Sequence, residues 1–468
     1  MFKAAVAAFA VVFSISILGQ SRVEALTLSE EKDVGRKFLT VIKKFLPMVE
    51  DGDVLTYVRG VGNRVVKELG TTSYQYQFFI IDQPVPNAFA VPGGYIFIYR
   101  GIIELMDSEA ELASIFAHEL SHIQARHIQR QIDEQKVLTV TSMAGLIAGI
   151  LLGGSGAGPA LAAGSMAAGQ TAALSFSRAH EMEADQLGFR YLCAAGYDPF
   201  EMASIMHKMD QRKWTGVSRI PDYLMTHPAL GERVLYLDEM AKKQKATNPV
   251  KIKQTLGDFQ LMQAALIAGY TDQDKAYDRF QAGAKKGDKA AVYGLGCLYM
   301  RQGKYRDAEA QLQAAARAMP SSPLVLSSLG AAYHQLGKLQ EAQKTFQTAL
   351  TLDPSASIVH YRLALVCMDL GQKEGALEHL QKIEELAPMF PEVDYQLGIV
   401  LGQVNRLGMA HYHLGRYYDR KSNVPLAVMH YKKAKAYILD SPAKLDEINQ
   451  ALKELDPLNK KKSGLGKR

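Results

Sequence analysis

His118-Glu119-Leu120-Ser121-His122 and, further on, Ser177-Arg178-Ala179-His180-Glu181-Met182-Glu183-Ala184-Asp185 are the stretches whose reading decides the fold of the first half of this chain. On a helix, positions four apart fall about 40° from each other, so His118 and His122 leave one face with their imidazoles close enough to share a cation. Glu119 lies one step round, near the open side of that cation. With 12 histidines in 468 residues, a chance His-Glu-x-x-His is expected only about 0.015 times in such a chain. The second stretch completes a ligand set. Glu181 and Asp185 share one helical face, with Glu183 pointing elsewhere. A hydrolytic zinc needs three protein ligands and a vacant fourth position, and two histidines plus one carboxylate is a recurrent set. Glu181 is therefore the expected third ligand to one zinc per chain. Asp185 is placed to accept a hydrogen bond from the non-metal nitrogen of a ligating histidine. A solvated helix face is the competing reading of these acids.

Outward from the first motif, Ser108 opens a helix as a capping box with Glu111, and Leu112, Ile115, Phe116 and Leu120 give it an apolar face through about Gln135. Upstream, Leu28 to Leu69 reads as helical. Tyr74 to Ile81, Asn87 to Val91 and Tyr95 to Tyr99 read as strands bounded by Pro86 and Pro92-Gly93-Gly94, which predicts a small antiparallel sheet. Val137 to Ser177 holds no charged residue, and Gly153-Gly154-Ser155-Gly156-Ala157-Gly158-Pro159 interrupts it, so neither half makes a convincing bilayer span. A pair of buried or substrate-covering helices on a glycine hinge is the preferred reading, with peripheral membrane or hydrophobic-client contact through 137–177 as the runner-up. A second long helix from about Ser175 carries Glu181 and Asp185, and irregular sequence leads to about Asn248.

The second half repeats itself every 34 residues. Leu295-Gly296, Tyr299, Gly303, Ala308, Leu312, Ala315 and Pro320 recur as Leu329-Gly330, Tyr333, Gly337, Ala342, Phe346, Ala349 and Pro354, then as Leu363, Cys367, Gly371, Ala376, Leu380 and Pro388. This is the tetratricopeptide (TPR) pattern, in which small residues let two helices approach and large ones fill the gap between neighbours. A fourth unit around Leu414-Gly415, Tyr418, Ala427, Tyr431 and Ala434 is reached through a half-unit at Leu397-Gly398, and 255–288 reads as a degenerate first unit. The predicted architecture is an α+β zincin-type domain, mostly helical with a small antiparallel sheet, over residues 26–248. An all-α TPR solenoid follows over 249–456, with a basic flexible tail over 457–468.

Composition fits two exported globular domains. Hydrophobic residues are 48% and charged residues 22% of the chain, and the net charge is +6, which excludes disordered and multi-span membrane classes. Met1-Phe2-Lys3, the apolar run Ala4 to Leu18 and Val23-Glu24-Ala25 read as a signal peptide cleaved after Ala25, with an uncleaved anchor as the alternative. Cys193, Cys297 and Cys367 are widely spaced in apolar helical contexts and read as small buried hydrophobes. Lys460, Lys461, Lys462, Lys467 and Arg468 cluster in the tail, read as a solvated end with no nucleic-acid partner.

The spacing of His118-Glu119-x-x-His122 and Glu181-x-Glu-Ala-Asp185 resembles the gluzincin peptidases of the Ste24 and Oma1 superfamily, and the signal peptide and repeats make it similar to that superfamily's periplasmic, TPR-bearing branch. The resemblance covers about residues 30–245 and 255–440. It implies zinc ligation by His118, His122 and Glu181, with Glu119 as general base, and a role in outer-membrane protein quality control and assembly. Asn87-Ala88-Phe89-Ala90-Val91 matches the family's edge strand beside the cleft, to which a peptide substrate would add by backbone pairing. The implied partners are protein or peptide substrates and, through the repeats, client proteins or the outer-membrane assembly machinery. His227, in Thr226-His227-Pro228, has three competing readings: a regulatory fourth ligand that holds the site off, a catalytic donor to the oxyanion, and a loop histidine satisfied by local backbone. Arg233 is expected to support its loop. His127, about 140° from His122 on a continuous helix, is read as no ligand, and His180, His207 and the repeat histidines as structural. A chaperone or scaffold with a largely silent metal site is the alternative to a protease.

Overall fold

The computed structural model describes residues 27–130, 176–211, 223, 227–386 and 391–456. The expected signal peptide, the helix beyond Arg130, the uncharged stretch through residue 175, Pro388 and the basic tail lie outside the described residues. The chain divides into two units. The first holds the chain up to Val49 and Val58–Leu256, and the second holds Glu50–Tyr57 and Gly257–Arg468.

In the first unit, α1 (Leu28–Phe45) begins at a capping box between Thr27 and Glu30. The helical stretch expected to run unbroken from Leu28 to Leu69 is two helices, because Pro47 forces Leu46 into an extended conformation (φ −117°, ψ 133°). Helix α2 (Gly52–Val66) follows. Strands β1 (Gln77–Ile81), β2 (Ala88–Val91) and β3 (Tyr95–Tyr99) form a sheet of order β1-β3-β2. The sheet is mixed, which corrects the antiparallel expectation. β2 and β3 pair antiparallel across Pro92-Gly93-Gly94, whose two glycines have φ of +91°. β1 pairs with β3 in parallel, because the chain crosses from β1 to the far position before β3 returns between the two.

Alternation buries both faces of the sheet. Phe79, Ile81, Phe97, Tyr99 and Val91 form one core with Phe38, Ile42 and Leu46 from α1. On the other face, the Phe78 ring lies tilted with its centroid 4.8 Å from that of Phe116 and fills the notch left by Gly62 of α2. Phe116 belongs to α4 (Glu109–Gln124), which follows the short α3 (Arg100–Ile103). Ser108 caps α4 by accepting from the Glu111 amide. Glu111 does not close the expected box on Ser108. Its carboxylate takes the Asp107 amide at 2.6 Å and the Ser204 hydroxyl at 2.7 Å. Helix α4 lies between the sheet on one side and α5 (Arg178–Ala195) and α6 (Phe200–Gln211) on the other, with α7 (Leu230–Thr247) packed on α6. Residues Leu112 through Ile123 are consequently buried all round. A β-carbon at Gly188 would sit 3.1 Å from the Ala117 carbonyl and the His118 amide, so this glycine brings α5 into backbone contact with α4 beside the motif.

The second unit is a run of helix pairs: α8 (Phe259–Tyr270) with α9 (Gln273–Lys285), α10 (Lys289–Arg301) with α11 (Tyr305–Ala318), α12 (Pro323–Gln335) with α13 (Leu339–Leu352) and α14 (Ser357–Asp369) with α15 (Lys373–Leu386). Then come α16 (Pro391–Gln403), α17 (Leu407–Arg420), α18 (Val424–Tyr437) and α19 (Pro442–Leu455). Gly296 receives Leu312 and Gly330 receives Phe346. The half-unit expected at Leu397-Gly398 is a whole one. Gly398 receives Leu414 from α17 just as the earlier glycines do, and Asn405 takes φ +59° where Gly303, Gly337 and Gly371 take +71° to +74°. Helix α17 also serves the next pair, Gly415 receiving Tyr431 of α18. No helix among the described residues is long and apolar enough to cross a membrane.

Candidate metal centre

Helix α4 carries His118, Glu119 and His122, α5 carries Glu181 and Asp185, and the residues before and within α7 carry His227 and Arg233; all seven side chains are buried. The Nε2 atoms of His118 and His122 face each other at 3.1 Å. Glu181 closes the group, with one carboxylate oxygen 3.4 Å from His122 Nε2 and the other 3.6 Å from His118 Nε2. His227 stands at the fourth corner, its Nδ1 3.0 Å from Glu181 and 3.3 Å from His118 Nε2. These four residues each offer a ligand atom within 4.8 Å of the others.

A second shell sets the direction of the rings. Asp185 lies 2.9 Å from His118 Nδ1, so that nitrogen donates its proton and leaves the Nε2 lone pair for the centre. Arg233 grips both Asp185 oxygens at 2.7 Å and donates to Glu181. Tyr236 donates to Asp185 from the same helix. Arg233 thus holds the Glu181 carboxylate and the His118 partner in one fork, a wider role than loop support.

The donor set fits a divalent cation. Glu119, Glu181 and Asp185 bring three carboxylates into the interior against one fixed cation, Arg233, an imbalance that a buried site does not tolerate without further positive charge. Burial raises Glu119, and although burial alone would lower His227, the charges of Glu181 and Glu119 outweigh it and raise that histidine. Burial would also raise Glu181 and Asp185, but His227 and Arg233 hold Glu181 well below the carboxylate range, and Arg233 and His118 hold Asp185 at about 2. Burial drives His122 well below the ordinary imidazole value, which keeps it neutral and able to ligate. Oε1 of Glu119 and Nε2 of His227 lie 3.5 Å apart and have no hydrogen-bond partner among the described residues. Such orphaned buried atoms are expected where a ligand or water belongs.

His127 departs from expectation. Helix α4 ends at Gln124, and Arg126 takes φ +52°, so the chain doubles back and puts His127 Nδ1 2.9 Å from His122 Nδ1. It is outside the ligand group, but it touches a member of that group. Its other nitrogen lies 3.2 Å from Glu183, and His180 stacks on its ring at 4.5 Å. His207 is remote from the centre and bonds Gln211. Strand β2, with Ala88, Ala90 and Val91 buried and Phe89 half-buried, packs against α4 and forms an edge of the sheet, with β3 its partner.

The sequence that builds this centre is similar to that of known proteins. Residues 55–241 match the model of peptidase family M48. Tetratricopeptide repeats follow it, matched over 293–342 and 333–395. The beta-barrel assembly-enhancing protease of Escherichia coli (strain K12) is 28% identical over 313 residues, 65% of this chain and 63% of the relative. The putative beta-barrel assembly-enhancing protease of Vibrio cholerae is 29% identical over 312 residues, with the same coverage of 65% and 63%. The mitochondrial metalloendopeptidase OMA1 of Schizosaccharomyces pombe is 30% identical over 184 residues, 39% of this chain and 52% of the relative. The alignment thus spans 63% of the length of the assembly-enhancing proteases. The M48 match takes in every residue of the centre, from His118 to Arg233.

Proposed function

We propose that this chain is a zinc-dependent endopeptidase exported to the bacterial periplasm, where it degrades misfolded or stalled envelope and outer-membrane proteins and assists their assembly through its repeats. The observation that carries the chemistry is the convergence of His118 Nε2, His122 Nε2 and the Glu181 carboxylate in a buried site with excess negative charge. These three hold the zinc. When bound, the ion polarises the scissile carbonyl and makes water a nucleophile near neutral pH. Glu119 takes the proton of the attacking water and returns it to the leaving amine. Asp185 and Arg233 fix His118 and Glu181, and a peptide strand adds to β2 at Asn87 to Val91, so that backbone pairing rather than sequence places the scissile bond.

His227 Nδ1 lies among the ligand atoms themselves. This position supports its reading as a fourth ligand that occupies the corner a substrate carbonyl needs. The periplasmic address rests on the leader read in residues 1–25, and the role in assembly on the relatives named above. The test is casein cleavage with zinc analysis. Glu119→Gln is expected to keep one zinc per chain and lose turnover by at least about a hundredfold, and His227→Ala to raise turnover. Cleavage by Glu119→Gln at the wild-type rate would overturn the assignment.

A further inference from the structure

We infer that Glu183 and His127 form a relay that orients the ligand His122 and fixes which of its nitrogens carries the proton, making both of them positioning residues for the metal. The inference rests on the reading of His122 as a ligand.

Proton accounting along the chain of contacts leaves one arrangement. Arg130 binds both oxygens of Glu183, at 2.9 and 3.1 Å, a two-point ion pair in which the carboxylate only accepts. The facing His127 Nε2, at 3.2 Å, therefore donates. A neutral imidazole that donates from Nε2 accepts at Nδ1. His122 Nδ1, 2.9 Å from that acceptor, must then carry a proton. That leaves the lone pair of His122 on Nε2, the atom facing His118 and Glu181. The tautomer needed at the metal is thus dictated from a partly exposed carboxylate two side chains away. His118 is fixed through Asp185 by one direct contact, and His122 by this longer one.

The surroundings hold the relay in place. His127 is fully buried. His180 stacks on its ring at 4.5 Å, and Phe176 stacks on His122 at 4.0 Å, which leaves both imidazoles little freedom to flip. Arg130 is itself pinned by a 2.8 Å bond from its Nε to the Ala125 carbonyl at the end of α4. The left-handed turn at Arg126 is what brings His127 back over His122. A buried structural histidine would need only two partners of any kind; here the partners are an ionised acid on one side and a ligand nitrogen on the other.

The test is zinc affinity by chelator competition, with the visible spectrum of the cobalt-substituted protein as a readout of ligand geometry. His127→Ala is expected to weaken zinc about 10- to 100-fold and shift the cobalt bands. His127→Asn, whose amide oxygen falls where Nδ1 stands, is expected to recover most of the affinity by accepting from His122. Glu183→Gln keeps an acceptor without the charge and is expected to fall between wild type and His127→Ala. Circular dichroism of the metal-free proteins identifies any variant that fails to fold. If His127→Ala is such a variant, His127→Asn and Glu183→Gln decide, and wild-type affinity and cobalt bands in Glu183→Gln overturn the relay. Wild-type protein that binds one zinc while a folded His127→Ala binds it equally tightly overturns the relay and leaves the metal site standing. Wild-type protein that takes up no zinc overturns both.

Discussion

At the residue scale, the centre is an arrangement of buried charges that are individually costly and jointly tolerable. Among the described residues, Arg233 is the permanent cation that meets the acids Glu119, Glu181 and Asp185, and it bonds two of the three, Glu181 and Asp185. Removing one partner of a buried charge pair leaves the other uncompensated, which costs roughly 3–5 kcal/mol. Arg233→Met is therefore expected to lower the urea stability of the metal-free first unit by about that amount, and by less when zinc is present to neutralise the acids; an unchanged midpoint would show that the fork is not holding the site. The meeting of His118 with His122 and the shared face of Glu181 and Asp185 were legible, because helical spacing alone puts each pair together. His127 was not. The angle that excluded it assumed a continuous helix, and the break comes at Arg126, a residue type that seldom takes a positive φ and gives no warning of it. Glu183 does point away from the metal, as its place on the helix requires, and its target was invisible for the same reason.

At the element scale, the site depends on how closely α5 approaches α4. Gly188 lies two turns from Glu181 on α5 and touches the backbone at Ala117 and His118, so a side chain there pries the third ligand from the other two. Gly188→Val is expected to cost about 1–3 kcal/mol by overpacking and to weaken zinc affinity, and a variant with unchanged affinity would show that the helices slide freely. The repeats tell a similar story of small residues. Their period is plain in three copies, but Leu397-Gly398 reads as a half-unit before the one at Leu414-Gly415, because Asn405 stands where the earlier copies carry a turn glycine. Structure resolves the ambiguity by giving α17 both tasks. Asn405 holds a left-handed turn, which Asn tolerates and a β-branched residue does not, at roughly 1–2 kcal/mol. Thermal unfolding is expected to show Asn405→Val destabilised by that amount and Asn405→Gly close to wild type. The parallel pairing of β1 with β3 was beyond reach for a different reason: strand patterning records which residues are buried, and a crossover leaves the same pattern as a hairpin.

At the scale of the whole molecule, sequence order and structural membership part company at α2. Its first turns, within Glu50–Tyr57, belong with the repeats. Asp53 pairs with Arg362 at 2.7 Å, the Tyr270 hydroxyl accepts from the amides of Glu50 and Asp51 at 2.8 and 3.0 Å, and Tyr57 packs its ring on Phe259. Repeats produced alone as residues 257–456 lose all three, of which the charged pair alone is worth about 1.5–3 kcal/mol, so that fragment is expected to melt below the same unit in the full chain; Asp53→Ala in the full chain should lower the repeat transition in the same direction. Metal removal acts on the other unit. A ligand bound only by the folded state adds stability that grows with its concentration over its dissociation constant, about 2.7 kcal/mol at a hundredfold excess. His118, His122, Glu181 and His227 all lie in the first unit, and two units that unfold separately give two calorimetric transitions. Chelation should therefore lower the transition that Arg233→Met lowers and leave in place the one that Asn405→Val lowers. A chelator that moved both equally would mean that the first unit and the repeats unfold as one.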